Sequence, residues 1–272
     1  MNPARNLITT ITIALLLALV GCSGDDPDAT EPSPVSGDAS TTPPAETPTN
    51  AGPTDLVDLH GPLDPGLYSL AAWGETSQTG PLPRAIVDVP EGYFSNGGYV
   101  IDAGHDGGTD DQLGDISVWH AVQVLADPCQ GRTAADVGPT VDDLARALVD
   151  QTGPSSQPRP VVLDGHRGVS LDVTVPPNAD LTRCTDEQYA LFRTEPKGDS
   201  AYSQDSPGVV NRLWILDVDG TRLVIVANLQ PDETDELHQE QTAIAESIHF
   251  EQAGWTHEGP APPDGGAGPS TR

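Results

Sequence analysis

The stretch from Arg212 to Asn228 constrains the fold more than any other part of this 272-residue chain. It reads Leu213-Trp214-Ile215-Leu216-Asp217-Val218, then Asp219-Gly220, then Thr221-Arg222-Leu223-Val224-Ile225-Val226. Asp-Gly between two β-rich runs predicts a hairpin, because a type I′ turn needs positive φ at both central positions. In that register Trp214, Leu216, Leu223 and Ile225 share one face, while Leu213, Ile215, Val224 and Val226 share the other. Both faces are apolar, so the hairpin is expected to be central and covered on both sides. Asp217 falls opposite Arg222, and a cross-strand ion pair is the plain expectation for those two charges.

Further strands are expected at Arg84 to Val89, Ile116 to Leu125, Pro160 to Leu163 and Val169 to Val175. The last alternates Val169, Leu171, Val173 and Val175 against Ser170, Asp172 and Thr174, the period of a strand with one buried face. Pro139-Thr140 opens a helix whose apolar face is Val141, Leu144, Ala145, Leu148 and Val149, with Thr140 as N-cap and Asp143 three residues on. A second helix is expected from about Asp232 to about His249, with acids at its positive end and Leu237, Gln241, Ile244 and Ile248 facing inward. Strands with inserted helices give an α+β domain, a mainly antiparallel sheet with two packed helices.

The chain ends are of another kind. Met1 to Asn6 carries Arg5, and the apolar run Leu7 to Val20 follows. At about 14 residues it is shorter than the roughly 20 needed to cross a hydrocarbon core, so it reads as the core of a signal peptide. It closes on Leu19-Val20-Gly21-Cys22, which resembles the lipobox of bacterial lipoproteins and marks Cys22 for a diacylglyceryl group. Residues 22–55 are mostly Asp, Pro, Thr, Ser, Ala and Gly with no base and no aromatic side chain, a composition that cannot offset its ordering entropy and predicts a disordered acidic stalk. Residues 256–272, rich in Gly and Pro, read as a similar tail. The expected organisation is a signal peptide over 1–21, the stalk over 22–55, one domain over 56–255, and the tail. Localisation follows: outside the cytoplasm, held to the cell membrane by the acyl chains on Cys22.

The 41 Asp and Glu residues against 12 Lys and Arg give a formal charge of -29, which repels nucleic acid and anionic headgroups alike. With Cys22 committed to lipid, Cys129 and Cys184 remain, an even pair in an oxidising compartment, and a disulfide is expected between them.

The pieces ISVWHAVQVLADPC, VGPTVDDLARALVDQ, LDGHRGVSLDVTVP, NRLWILDVDGTRLVIVAN and AIAESIHF follow a lipobox and an acidic stalk. Together they resemble a group of uncharacterised actinobacterial lipoproteins over about residues 60 to 250. More distantly, the late hairpin followed by a terminal helix is similar to lipoproteins of the LpqN type, whose PsbP-like α/β/α fold the resemblance implies. The resemblance implies no established activity and supplies no catalytic residues.

Candidate chemistry is sparse. Asp106, Asp110, Asp111 and Asp115 lie on or beside a Gly-rich loop, and their hard oxygens suit calcium. The same loop also reads as a solvated acidic segment. No G-x-S-x-G elbow and no phosphate-cradling motif occurs. His120 falls in an otherwise apolar run, Ile116, Val118, His120, Val122 and Val124, where a hydrogen-bonded core histidine is the plain reading. Trp73, Tyr93, Phe94 and Tyr99 lie in Gly-rich segments and are candidates for a ligand rim, or for packing under loops. These features favour a non-enzymatic envelope module that binds a protein, a glycan or a small apolar ligand. The alternatives are a hydrolase assembled from residues distant in sequence and a calcium-dependent binding module.

Overall fold

The computed structural model describes residues 52–57, 59–74, 82–104, 114–130, 132–151, 154–194 and 201–251. They belong to one compact unit, Asn50–Arg272. The expected signal peptide with Cys22, the stalk up to residue 51, the tail, and Asp106, Asp110 and Asp111 lie outside the described residues. None of the described helices is long and apolar enough to cross a membrane.

In chain order the first strands are β1 (Thr54–Asp55), β2 (His60–Pro62), β3 (Gly66–Leu70), β4 (Arg84–Val89), β5 (Tyr93–Asn96), β6 (Val100–Ala103), β7 (Asp115–Trp119) and β8 (Gln123–Asp127). Then come β9 (Arg132–Asp136), helix α1 (Val141–Asp150), β10 (Arg159–Leu163), β11 (His166–Thr174), β12 (Tyr189–Arg193) and β13 (Ala201–Gln204). The chain continues through β14 (Val210–Val218), β15 (Thr221–Leu229), helix α2 (Asp235–Glu246) and β16 (His249–Glu251). An eight-stranded sheet runs in the order β10-β11-β14-β15-β7-β6-β5-β2, and two four-stranded sheets run β1-β3-β4-β16 and β13-β12-β8-β9. Apart from β1 beside β3, the strands pair antiparallel. The α+β class is that of the sequence reading.

The β14–β15 hairpin forms in the expected register, Asp217 opposite Arg222 and Val218 opposite Thr221. Asp219 and Gly220 take φ of 51° and 86°, the double positive φ of the two-residue turn. Each face of the hairpin enters a different core. Trp214, Leu216, Leu223 and Ile225 pack with Tyr68, Leu70, Val87 and Val89 from β3 and β4 and with Ile244 and Ala245 from α2. Leu213, Ile215, Val224 and Val226 pack with Leu144 and Leu148 of α1 and with Leu191, Phe192 and Tyr202 of the β13-β12-β8-β9 sheet. Burial of large aliphatic side chains on both faces, at about 1.5–3 kcal/mol each, makes this hairpin the main source of cohesion.

Helix α1 starts as the sequence predicts: the Thr140 side chain accepts from the Asp143 amide and Asp143 reaches back to the Thr140 amide, a capping box. Helix α2 is capped by Thr234, whose hydroxyl accepts from the Leu237 amide, and it ends three residues short of the expected His249. His249–Glu251 instead pairs with Arg84–Ile86 of β4, because the edge of that sheet offers unpaired backbone groups.

The expected single strand from Ile116 to Leu125 is broken. At His120 the backbone amide donates to Trp73 O (2.8 Å), and at Val122 to Arg193 O (2.8 Å), so the chain changes partners and leaves one sheet for another. Just ahead of the expected domain start at 56, Thr54 and Asp55 pair with Tyr68 and Ser69, and Asp55 meets Arg84 at 2.6 Å.

Cys129 and Cys184 form the disulfide, 55 residues apart. It ties the β8–β9 turn to the 3-10 turns Leu181–Arg183 and Thr185–Glu187, and Thr185 N also donates to Cys129 O at 2.8 Å. In the chain-entropy description a loop of this size stabilises the fold by on the order of 4 kcal/mol. Cys129→Ser/Cys184→Ser is therefore expected to lower the urea-unfolding free energy by about that amount, and reductant to shift the parent protein alone. A second expectation concerns Gly168 of β11, where a Cβ would stand 2.0 Å from the Ile215 carbonyl oxygen. Gly168→Ala should separate β11 from β14 and cost about 3 kcal/mol in the same measurement.

Candidate functional site: a cleft at the hairpin turn

Arg222 carries the least usual placement in the fold. It follows the turn by one residue and points to the α1 side of the sheet, where it is 9% exposed. The expected ion pair with Asp217 does not form. Asp217 turns its carboxylate to the Gly220 amide, accepting at 2.8 Å and closing the turn. The Arg222 guanidinium donates instead to three backbone carbonyls: Nη1 to Gly138 O and to Thr140 O (3.0 Å), and Nη2 to Ala121 O (2.8 Å). These carbonyls lie on the two irregular segments that face the hairpin, at the β7–β8 break and before α1. Irregular backbone has carbonyls to satisfy, and a planar five-donor group reaches several at once. Burial pulls the Arg222 pKa down, opposed by the nearby Asp143 charge.

Around Arg222 lies an open cleft with two lobes. One, of about 370 Å³, is lined by Thr140, Val141 and Asp142 at the start of α1, by Arg167 of β11, and by Asp217 and Gly220 of the turn. The other, of about 330 Å³, is lined by His120, Val122, Val137, Gly220 and Thr221. Pro139 and Arg222 belong to the walls of both. Polar and apolar groups line the first lobe about equally, Val169 and Pro139 among the latter, and both lobes open to solvent, so neither is a closed apolar cavity.

His120 is half-buried, and its ring donates to the Gly74 carbonyl. Its Nδ1 is buried without a hydrogen-bond partner, which assigns the proton to Nε2. Burial first, and the Arg222 charge second, hold its pKa below the usual histidine value, against the Gly74 bond that favours the cation. The imidazole is therefore neutral near pH 7, with a free lone pair beside a fixed guanidinium. No Ser or Cys lines either lobe.

The four aromatic rim candidates separate into two groups. Trp73, 38% exposed, meets Tyr99 edge-on at 4.7 Å and lies over Trp119 at 5.5 Å. Trp119 continues inward to Tyr202 at 5.1 Å and Phe192 at 6.0 Å, giving an aromatic row from surface to core. Tyr93, by contrast, is buried in the other core with its hydroxyl on Glu240 (2.8 Å), and Phe94 is half-buried beside it in β5.

Of the four calcium candidates only Asp115 is described. It pairs across strands with Asp102 and accepts from Asn228 Nδ2 (2.9 Å) and Ser117 Oγ (3.3 Å). Burial, then the Asp102 charge, push its pKa up to about 7, and burial pushes Asp102 up to about 6. Among the described residues no group of three His, Cys, Asp or Glu side chains is placed to hold a metal ion.

No family model matches the chain, and no curated protein matches it. Among solved structures it is similar to the solution structure of cyanobacterial PsbP (CyanoP) from Synechocystis sp. PCC 6803. The identity is 13%, covering 68% of this chain and 93% of that one, with a TM-score of 0.31. A likeness of that degree carries no argument about function, and the fold class rests on the strand order above.

The sequence places neither Arg167 nor Arg222 in a site. The signal was present for Arg222: a charge inside a hairpin that is apolar on both faces is buried by construction, and a buried charge needs partners. Two outcomes follow. Arg222→Met leaves three carbonyls short of a donor and should cost about 3 kcal/mol in chemical unfolding. For His120 the depressed pKa means that the unfolded chain binds the proton more readily, so stability falls as pH drops below the ordinary histidine value of about 6.5. The raised pKa values of Asp102 and Asp115 act in the opposite sense in both proteins, so the loss is read as a difference: in urea titrations between pH 5 and 8 the parent protein should lose stability relative to His120→Gln as pH falls.

Proposed function

We propose that the protein is a lipid-anchored, extracytoplasmic binding module, with the cleft at the hairpin turn as its ligand site. The observation that carries the binding reading is the make-up of the cleft. Two of its wall groups, Arg222 and His120, are held by backbone carbonyls, Arg167 stands exposed beside them, and it offers no serine or cysteine nucleophile. Such a site is preorganised to hold a ligand, because the rotamer entropy of its groups has already been lost on folding. The mixed charged lining supports a polar ligand over an apolar one. A hydrolase would need a Ser or Asp within reach of His120, whose ring partner is the Gly74 carbonyl.

The anchoring part of the reading is supported by sequence, the apolar run ending in Leu19-Val20-Gly21-Cys22 and its likeness to actinobacterial lipoproteins. A diacylglyceryl group supplies two chains at about 0.8 kcal/mol per buried methylene, enough for stable attachment without a membrane-spanning helix. In cells, Cys22→Ala is expected to move the protein from the membrane fraction and the detergent-rich phase to the aqueous phase. Retention in the membrane fraction would remove the anchor from the proposal. Ester- or peptide-bond hydrolysis abolished by His120→Gln would replace the binding reading with an enzymatic one.

A further inference from the structure

We infer that the lobe bounded by Arg167, Arg222 and the first turn of α1 binds an oxyanion, a carboxylate or phosphate group carried by the ligand. The inference rests on the reading of this cleft as the ligand site and adds the chemistry it recognises.

Three sources of positive potential meet in that lobe. The first is Arg222. In a chain with 41 acids for 12 bases, carboxylates are abundant, and Arg84, Arg146 and Arg212 each have one. Arg222, nine-tenths buried, has no carboxylate at ion-pair distance among the described residues, although it feels the Asp143 charge, and its Nε is buried without a partner. Three carbonyl dipoles orient the guanidinium but leave its full charge in place, where low local polarity makes it felt strongly. The second is Arg167, exposed in β11 and without an ion-pair or hydrogen-bond partner among the described residues, on the same lobe. The third is α1 itself. Its capping box satisfies the Asp143 amide, while the amides of Val141 and Asp142, in the first turn, have no acceptor among the described residues, and both residues line the lobe. Free amides at the positive end of a ten-residue helix are a ready acceptor of oxyanions.

The lobe also contains Asp142 and Asp217. Asp217 is committed to the Gly220 amide. Asp142 is exposed at its rim and opposes a bound anion, so it limits affinity and screens out ligands whose negative charge is large. Against the net acidity of the surface, only a group that reaches Arg222 and the helix end together gains enough to bind. A planar carboxylate or a phosphate satisfies that requirement by pairing with the exposed Arg167 guanidinium while lying in the field of the buried Arg222, whose own Nη groups are held by carbonyls.

The test is amide-resolved NMR of the full chain in detergent, titrated with inorganic phosphate and separately with acetate at constant ionic strength. Saturable shifts are expected at the Val141, Asp142 and Gly168 amides, and the tighter of the two probes identifies the group. Arg167→Met should weaken binding roughly tenfold and Asp142→Asn should strengthen it about threefold, each with an unchanged melting temperature. Unchanged affinity in Arg167→Met, or saturable shifts confined to other parts of the fold, overturns the inference. Neutral fragments that shift these amides where phosphate and acetate do not would overturn the anion and leave the cleft as the ligand site. If neither neutral fragments nor anions shift them, both readings fall.

Discussion

Both cores of this protein share one wall, the β14–β15 hairpin. Leu213, Ile215, Val224 and Val226 serve one core, while Trp214, Leu216, Leu223 and Ile225 serve the other. Because the side-chain period of a strand is two, a slip of one residue would exchange every one of these contacts. The Asp219-Gly220 turn fixes the register against such a slip, and its positive φ values are available to those residues at little cost. What surrounds the hairpin is arranged to cover it: α2 and the β1-β3-β4-β16 sheet on one side, α1 and the β13-β12-β8-β9 sheet on the other.

The same turn also makes the cleft. A hairpin that ends in a tight turn projects past the irregular segments flanking it, and Arg222 joins them by donating to Gly138, Thr140 and Ala121. Its structural work and its capacity for recognition have one origin. The carbonyls hold the guanidinium in place without neutralising it, so a group that stabilises the fold also leaves positive charge beside an open space. His120 is held on similar terms: one ring nitrogen is spent on the Gly74 carbonyl, and the other is buried without a partner, which favours the neutral state.

Away from the cleft, polarity is taken into the fold through a connected set of side chains. Trp119 Nε1 donates to Ser117, Ser117 to Asp115, and Asn228 to both Asp115 and Gln204. Gln204 donates to Tyr202, and Tyr202 to Asn211. Satisfied networks of this kind specify one packing arrangement, since alternatives leave donors or acceptors stranded. Gln241 stands outside this network, fully buried with both side-chain polar atoms unpartnered among the described residues, where a Cβ on Gly114 would meet it at 2.9 Å.

Much of the framework is written in local sequence. The hairpin and its two faces, the capping box of α1, the inner positions Leu237, Gln241, Ile244 and Ile248 of α2, and the pairing of Cys129 with Cys184 all follow from periodicity, turn chemistry and cysteine count, which depend on neighbours in the chain. What local pattern does not hold is the choice of partner between distant segments. It reads Ile116 to Leu125 as one strand, but the break at His120 is set by the carbonyls of Trp73 and Arg193. It pairs Asp217 with Arg222 because they face each other, but the turn amide takes Asp217 and three distant carbonyls take Arg222. It groups Tyr93 with Trp73, but the two rings go to opposite sides of the sheet. The sequence by itself determined the hairpin with its two faces, the two helices and the acidity of the chain. Only tertiary structure decided that the buried Arg222 is held by carbonyls rather than by a paired carboxylate, because that depends on which backbone groups the folded chain leaves within its reach.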